Sequence, residues 1–298
     1  MRLALLTLLL TSTALAADPP TLKASPPTFD KDRGTHRLTL TSNCQKGDTT
    51  LEVLLPKTYD KAKPHRVVYV LPVEAAPLGP PKRWGDGLME VKKHDLHNTH
   101  DVLCVAPTFD TIPWYIDHAT DSHIRQATYL RQVVTLIEQT YKTPGTREGR
   151  LLLGFSKSGW GAVSLVLRDP DFYGAAAAWD APLMLRDEDW QNFEIPKAAG
   201  TREVFGAAAP PNLVPRMPAE FKNRKRLALL GEKNFGPAPA AKYAPDGHTL
   251  TFHKWLDRHG IPHLYRNDLK VDHHWESGWV KPAFDLLVQL PGKDERLD

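Results

Sequence analysis

Leu151-Leu-Leu-Gly-Phe-Ser-Lys-Ser-Gly-Trp-Gly161 passes from an unbroken apolar run into a stretch of small residues. Arg150 to Leu153 reads as a strand buried on both faces. A helix over about Ser158 to Arg168 follows, stopped by Pro170. The turn between them is Gly154-Phe155-Ser156-Lys157-Ser158. Small residues on both sides of Ser156 let strand and helix approach closely and hold the serine in a strained backbone conformation. Ser156 as an ordinary helix cap is the plainer alternative.

The same strand-then-helix rhythm continues in both directions. Upstream, Arg66 to Leu71 and Asp101 to Ala106 are further apolar runs, with a loop and a helix expected between them in residues 74 to 100. Asp121 or Ser122 can cap a helix to about Tyr141, whose apolar positions Ile124, Ala127, Leu130, Val134 and Ile137 recur at spacings of three and four. Downstream, Tyr173 to Trp179, Arg226 to Leu230 and Pro262 to Arg266 read as strands. Helices are expected over about Leu250 to His259, ended by Gly260, and over Pro282 to Leu290. Near the start, His36 to Thr41 and Thr49 to Leu55 look like two strands joined through Gly47-Asp48, preceded by an extended arm at 18 to 35. Alternating helices and short apolar strands predict an α/β fold: a mostly parallel central sheet with helices on both faces. No internal repeat is present. Residues 181 to 225 lack clear periodicity and are expected as a cap or excursion within a single domain spanning 18 to 298.

The first 17 residues stand apart. Arg2, the apolar run Leu3 to Leu10 and the small residues Ala14-Leu15-Ala16 have the layout of a signal peptide cleaved near Ala16 or Ala17. The run is too short to span a bilayer, so the expected location is secreted or periplasmic, with no membrane partner after cleavage. An uncleaved anchor is the alternative. The formal charge of +3 is small and its basic residues are scattered, which argues against nucleic acid as a partner. Two cysteines, Cys44 and Cys104, make no disulfide scaffold, and whether they pair is left open.

The turn at Ser156 resembles the nucleophile elbow G-x-S-x-G of α/β-hydrolases, with Ser158 in place of the second glycine. A serine hydroxyl needs a base, and in that fold the partners follow in the order serine, acid, histidine. Val271-Asp-His-His-Trp-Glu-Ser-Gly-Trp279 lies after the last expected strand and before the final helix, where the base belongs. It resembles the His-x-Trp loop of secreted esterases related to esterase D and the mycolyltransferases. That register puts the base at His273, with His274 the alternative. The same resemblance would place the acid near Asn234, which is no carboxylate. The acid is therefore expected at Asp180, after the Tyr173 strand, with Glu232 second. The Lys157 N–H should supply one oxyanion donor and Val73 or Glu74 the other. The Lys157 side chain is expected at the surface.

From Thr49 to Leu290 the chain is similar to the esterase D-like family of α/β-hydrolases, most specifically over Gly154 to Gly161, Pro113-Trp-Tyr-Ile-Asp117 and His273 to Trp279. The resemblance implies an α/β-hydrolase fold and cofactor-free hydrolysis of a carboxylic ester through an acyl-enzyme, on a small-molecule or carbohydrate ester. Rival readings are a peptidase on the same fold and a non-catalytic binding protein that retains it. Trp114, Tyr115, Trp160 and Trp179 are candidates for an aromatic platform for a sugar or aryl group, with core packing as the other reading. His94, His97 and His100 recur every third residue. Without an acidic partner pattern they read as a solvated face rather than a metal site, so no metal is expected.

Overall fold

The computed structural model describes residues 19–75, 83–231, 244 and 246–290. The expected signal segment at 1–17 lies outside these residues. Among the described residues ten strands form one sheet: β1 (Leu22–Ala24), β2 (Thr28–Asp30), β3 (Thr35–Ser42), β4 (Thr49–Leu54), β5 (Val67–Val70), β6 (Leu103–Pro107), β7 (Arg150–Phe155), β8 (Ala175–Trp179), β9 (Leu227–Leu230) and β10 (Leu264–Arg266). Their order is β1-β3-β4-β6-β5-β7-β8-β9-β10, with β2 paired to β3. From β6 to β10 every pairing is parallel. The amino-terminal strands join antiparallel.

The segment at 18 to 35 is thus more than an arm. Its two three-residue strands pair with β3, because alternate residues of β3 are buried and its backbone groups need partners on both sides. The fourth expected strand begins at Ala175 rather than Tyr173, whose N–H still bonds back to the Asp169 carbonyl at 3.2 Å.

Helices follow the strands: α1 (Gly87–Lys93), α2 (Leu96–Thr99), α3 (Gln126–Thr140), α4 (Ser156–Arg168), α5 (Ile195–Ala199), α6 (Arg202–Ala208), α7 (Pro210–Leu213), α8 (His248–Arg258) and α9 (Val280–Gln289). Residues 181–225 form short helices and turns, of which α7 packs on α4. The period-two geometry of the strands divides the core. Val67, Tyr69 and Leu152 face one apolar layer with α3, α4 and α8, while Val68, Val70, Leu151 and Leu153 face another with α1 and α9. Each such fully buried aliphatic side chain contributes roughly 1.5–3 kcal/mol. That is why the strands read as continuous apolar runs.

The chain leaves β5 for β6 on one side and returns to β7 on the other. The order reverses at β5 and β7, the kind of switch point where open α/β sheets hold their ligands. Cys44 and Cys104 are both buried and free.

Candidate active site

The turn from β7 into α4 puts Ser156 at φ 52°, in the left-handed region that a residue with a side chain rarely adopts. Helix α4 begins at Ser156 itself, two residues earlier than the sequence suggests. Gly154 makes this possible, because a Cβ there would stand 2.3 Å from the Ser158 carbonyl oxygen. Ser158, the departure from the glycine of the elbow, is fully buried. Its hydroxyl accepts from the Phe155 N–H at 2.9 Å and donates to the Phe155 carbonyl at 2.9 Å. The side chain thus ties the helix back to the residue before Ser156, and an extra hydroxyl replaces the freedom of a glycine.

Asp180 follows β8 as Ser156 follows β7. It has φ 40° and is 1 % exposed, and its backbone N–H donates to Leu230. Its Oδ2 lies 2.7 Å from His273 Nδ1. A carboxylate only accepts, so Nδ1 carries the proton and the Nε2 edge is left as the basic face of the neutral ring. The His273 ring rests on Phe155, with centroids 4.4 Å apart, and Trp84 meets it edge-on at 5.4 Å. Phe155 immediately precedes Ser156, so this tilted ring contact brings the imidazole to the elbow.

The loop that carries His273 is braced by its own side chains. The Ser277 hydroxyl bonds the carbonyls of Asp272 and His274, and Trp279 Nε1 donates to the His274 carbonyl at 2.9 Å. Trp275 N–H bonds the Trp84 carbonyl at 3.0 Å, which joins the loop to the segment bearing Trp84. The ring of His274 serves the loop instead. Its Nδ1 accepts from the Glu276 N–H at 3.2 Å and caps the short turn Trp275–Ser277. Of the two neighbouring histidines, His273 is the one brought to Asp180. Glu232 lies outside the described residues.

The candidate oxyanion donors meet at the switch point. Leu71 N–H bonds the Leu153 carbonyl at 2.9 Å, so the residues after β5 run beside those after β7. Val73 is buried there, and Glu74 opens onto a cleft of about 730 Å³. The Lys157 N–H is among the first of α4, which helix geometry leaves without an intrahelical acceptor. The Lys157 side chain corrects the surface expectation. It lines the cleft, and burial pulls its ammonium below the usual lysine range against the opposing pull of Glu194 and Glu74. Trp84 and Arg83 share the same wall, the guanidinium 4.7 Å above the indole. The cleft is lined by four basic residues (Lys46, Arg83, Lys157, Lys197) and four acidic ones (Glu74, Asp110, Asp121, Glu194), so charges of both signs face it.

The aromatic platform is a correction. Trp114, Tyr115, Trp160 and Trp179 are all 0 % exposed and belong to the core. Trp160 stacks on Phe205 with Trp114 edge-on, and Trp179 stacks on Trp279 at 7°. They lie behind the site because the apolar side of each loop turns inward to cover the sheet. Tyr115 still bears on it, since its hydroxyl donates to the Pro72 carbonyl at 2.5 Å and fixes the turn carrying Val73. Trp84, missed in the sequence, is the aromatic that borders the cleft; it has no strand or helix periodicity to mark it. His94, His97 and His100 do not converge: His94 pairs with Glu90 and His100 with Asp285, while His97 is buried.

Comparison with known proteins is consistent with this geometry. Residues 42–204 match the family model described as "Putative esterase". The chain belongs to this esterase family. Among solved structures, this family member resembles an S-formylglutathione hydrolase from Agrobacterium tumefaciens, at TM-score 0.67 and 15% identity over 90% of this chain and 99% of that one. It also resembles a ferulic acid esterase, at TM-score 0.60 and 19% identity over 91% and 97%. A third is a fluorophosphonate-binding serine hydrolase from Staphylococcus aureus, at TM-score 0.58 and 15% identity over 93% and 100%. Among curated proteins, none matches the sequence. The fold is that of an α/β-hydrolase, and the family is one of carboxylic ester hydrolases.

Proposed function

We propose that this esterase cleaves its substrate through an acyl-enzyme on Ser156, with His273 as base and Asp180 as the acid that orients it. The observation that carries this is the Asp180–His273 pair at 2.7 Å, its imidazole packed at 4.4 Å against the residue before a serine at φ 52°. His273 takes the Ser156 proton as Oγ attacks the ester carbonyl. The N–H of Lys157 and that of Val73 or Glu74 stabilise the tetrahedral oxyanion. The protonated imidazole then gives its proton to the departing alcohol, and water repeats the sequence to release the acid. Asp180 stays ionised and steadies the imidazolium.

The charged cleft favours a polar or short-chain ester, including a carbohydrate ester, over a lipid. A long alkyl chain laid against Lys157, Glu194 and Arg83 would strip water from charges and return no hydrogen bonds. The amino-terminal segment supports export to the periplasm or medium.

Fluorophosphonate labelling tests the nucleophile. The wild-type protein is expected to be labelled at Ser156, and Ser156→Ala to lose both labelling and turnover of p-nitrophenyl acetate while keeping its far-ultraviolet circular dichroism. Undiminished hydrolysis by the alanine variant refutes the assignment. Acetyl, feruloyl, palmitoyl and peptide substrates, compared side by side, separate a polar esterase from a lipase or a peptidase.

A further inference from the structure

His253, Asp257 and His263 converge far from Ser156. His253 and Asp257 are one turn apart on α8, and His263 stands just before β10. In a parallel sheet the entry of β10 is at the end opposite the exits of β7 and β8, where Ser156 and Asp180 sit. His263 Nδ1 lies 2.8 Å from the Ile261 carbonyl. A carbonyl only accepts, so Nδ1 holds the proton and Nε2 presents a lone pair. That lone pair faces His253 Nδ1 at 2.8 Å, and His253 Nε2 faces the Asp257 carboxylate at 3.5 Å. The His253 ring therefore lies between two acceptors.

We propose that this group is a binding site for a divalent transition ion of the zinc class. Each of the three residues offers one ligand atom, and these atoms all lie within 4.8 Å of one another. Two ligands sharing a tetrahedral zinc ion at bonds of about 2.1 Å stand roughly 3.4 Å apart. His253 gives an ion one nitrogen only; taken through Nδ1, which faces His263 Nε2 at 2.8 Å, the ion replaces the proton between the two rings, and they part by about 0.6 Å to reach that spacing. Two imidazoles and one carboxylate suit zinc rather than magnesium or calcium. The Ile261 carbonyl orients His263 as such partners orient zinc-bound histidines. His253 is stacked on Tyr265, centroids 4.1 Å apart at 8°, which holds its ring plane. Asp257 is exposed and leaves the ion open to water as a fourth ligand. Bound there, the ion joins α8 to the edge of the sheet and does not take part in ester hydrolysis.

The test is calorimetric titration of untagged, chelator-treated full-length protein with zinc chloride at pH 7.5, alongside thermal denaturation. One equivalent is expected to bind and to raise the melting temperature. Asp257→Asn, on the exposed side, is expected to weaken binding about tenfold or more, and His263→Ala to abolish it, both with wild-type esterase activity. Absence of binding by the wild-type chain overturns the proposal. So does unchanged affinity in Asp257→Asn, which holds even if His263→Ala fails to fold.

Discussion

Asp180 and His273 are 93 positions apart in the chain and 2.7 Å apart in space. A buried carboxylate at 1 % exposure is costly unless paired. The imidazole offers it a donor, and it offers the imidazole a fixed orientation. Replacement by an amide of the same shape removes the charge and lets the ring settle in the wrong tautomer. Asp180→Asn is therefore expected to lower kcat about 10³–10⁴-fold with little change in KM. Steady-state kinetics on p-nitrophenyl acetate measure this, and a kcat within a few-fold of wild type would move the acid elsewhere. The tight turn at Ser156 was legible in the sequence because a close junction of a buried strand and a helix demands small residues, whereas the order of its proposed partners came from the family resemblance. The preference for His273 over His274 likewise rested on that resemblance, not on the residues themselves. The choice depends on which ring the loop spends as a cap, and hydrogen bonds from Ser277 and Trp279 decide that.

At the scale of elements, the β7–α4 junction and the start of α8 carry separate loads. Ser158→Ala takes away the hydroxyl that both Phe155 backbone groups use, at a cost of about 1–3 kcal/mol. Urea denaturation should show that loss, and an unchanged midpoint would mean that the junction closes without it. His248 opens α8 and is 4 % exposed, with its Nδ1 accepting from the Met184 N–H at 3.1 Å. Burial pulls its pKa down to about 4. The unfolded chain then binds the proton that the folded chain refuses, so stability falls as pH drops from 6.5 towards 4. The loss amounts to about 3 kcal/mol across that window. His248→Gln is expected to flatten this slope between pH 7 and 4.5 in chemical denaturation, and an identical slope in the variant would remove His248 as its source. The strands from β3 onward and the long helices were legible from their apolar patterns, whereas β1 and β2 were not. The short helices of 181–225 were not, since segments of four to seven residues show too few turns for a repeat. The same limit hid Trp84 and misplaced the four buried aromatics, because loop sequences do not tell which side faces the sheet.

Taken whole, the molecule is held by two apolar layers on one sheet and by no disulfide between its two buried cysteines. Export, if the leading segment directs it, demands none. Expression with the natural leader should deliver protein to the periplasm or medium with a new amino terminus just after Ala16 or Ala17. Mass spectrometry of the exported product measures it, and an intact Met1 on that product would contradict cleavage. The sheet is bounded at one margin by the three-residue β1 and β2 and at the other by the three-residue β10, which runs into the Arg266–Asp268 ion pair. Margins so brief, and charged at the β10 end, give a stranger's backbone almost no ladder to grip. Crowded together, copies of this enzyme can jostle without zipping into fibrils.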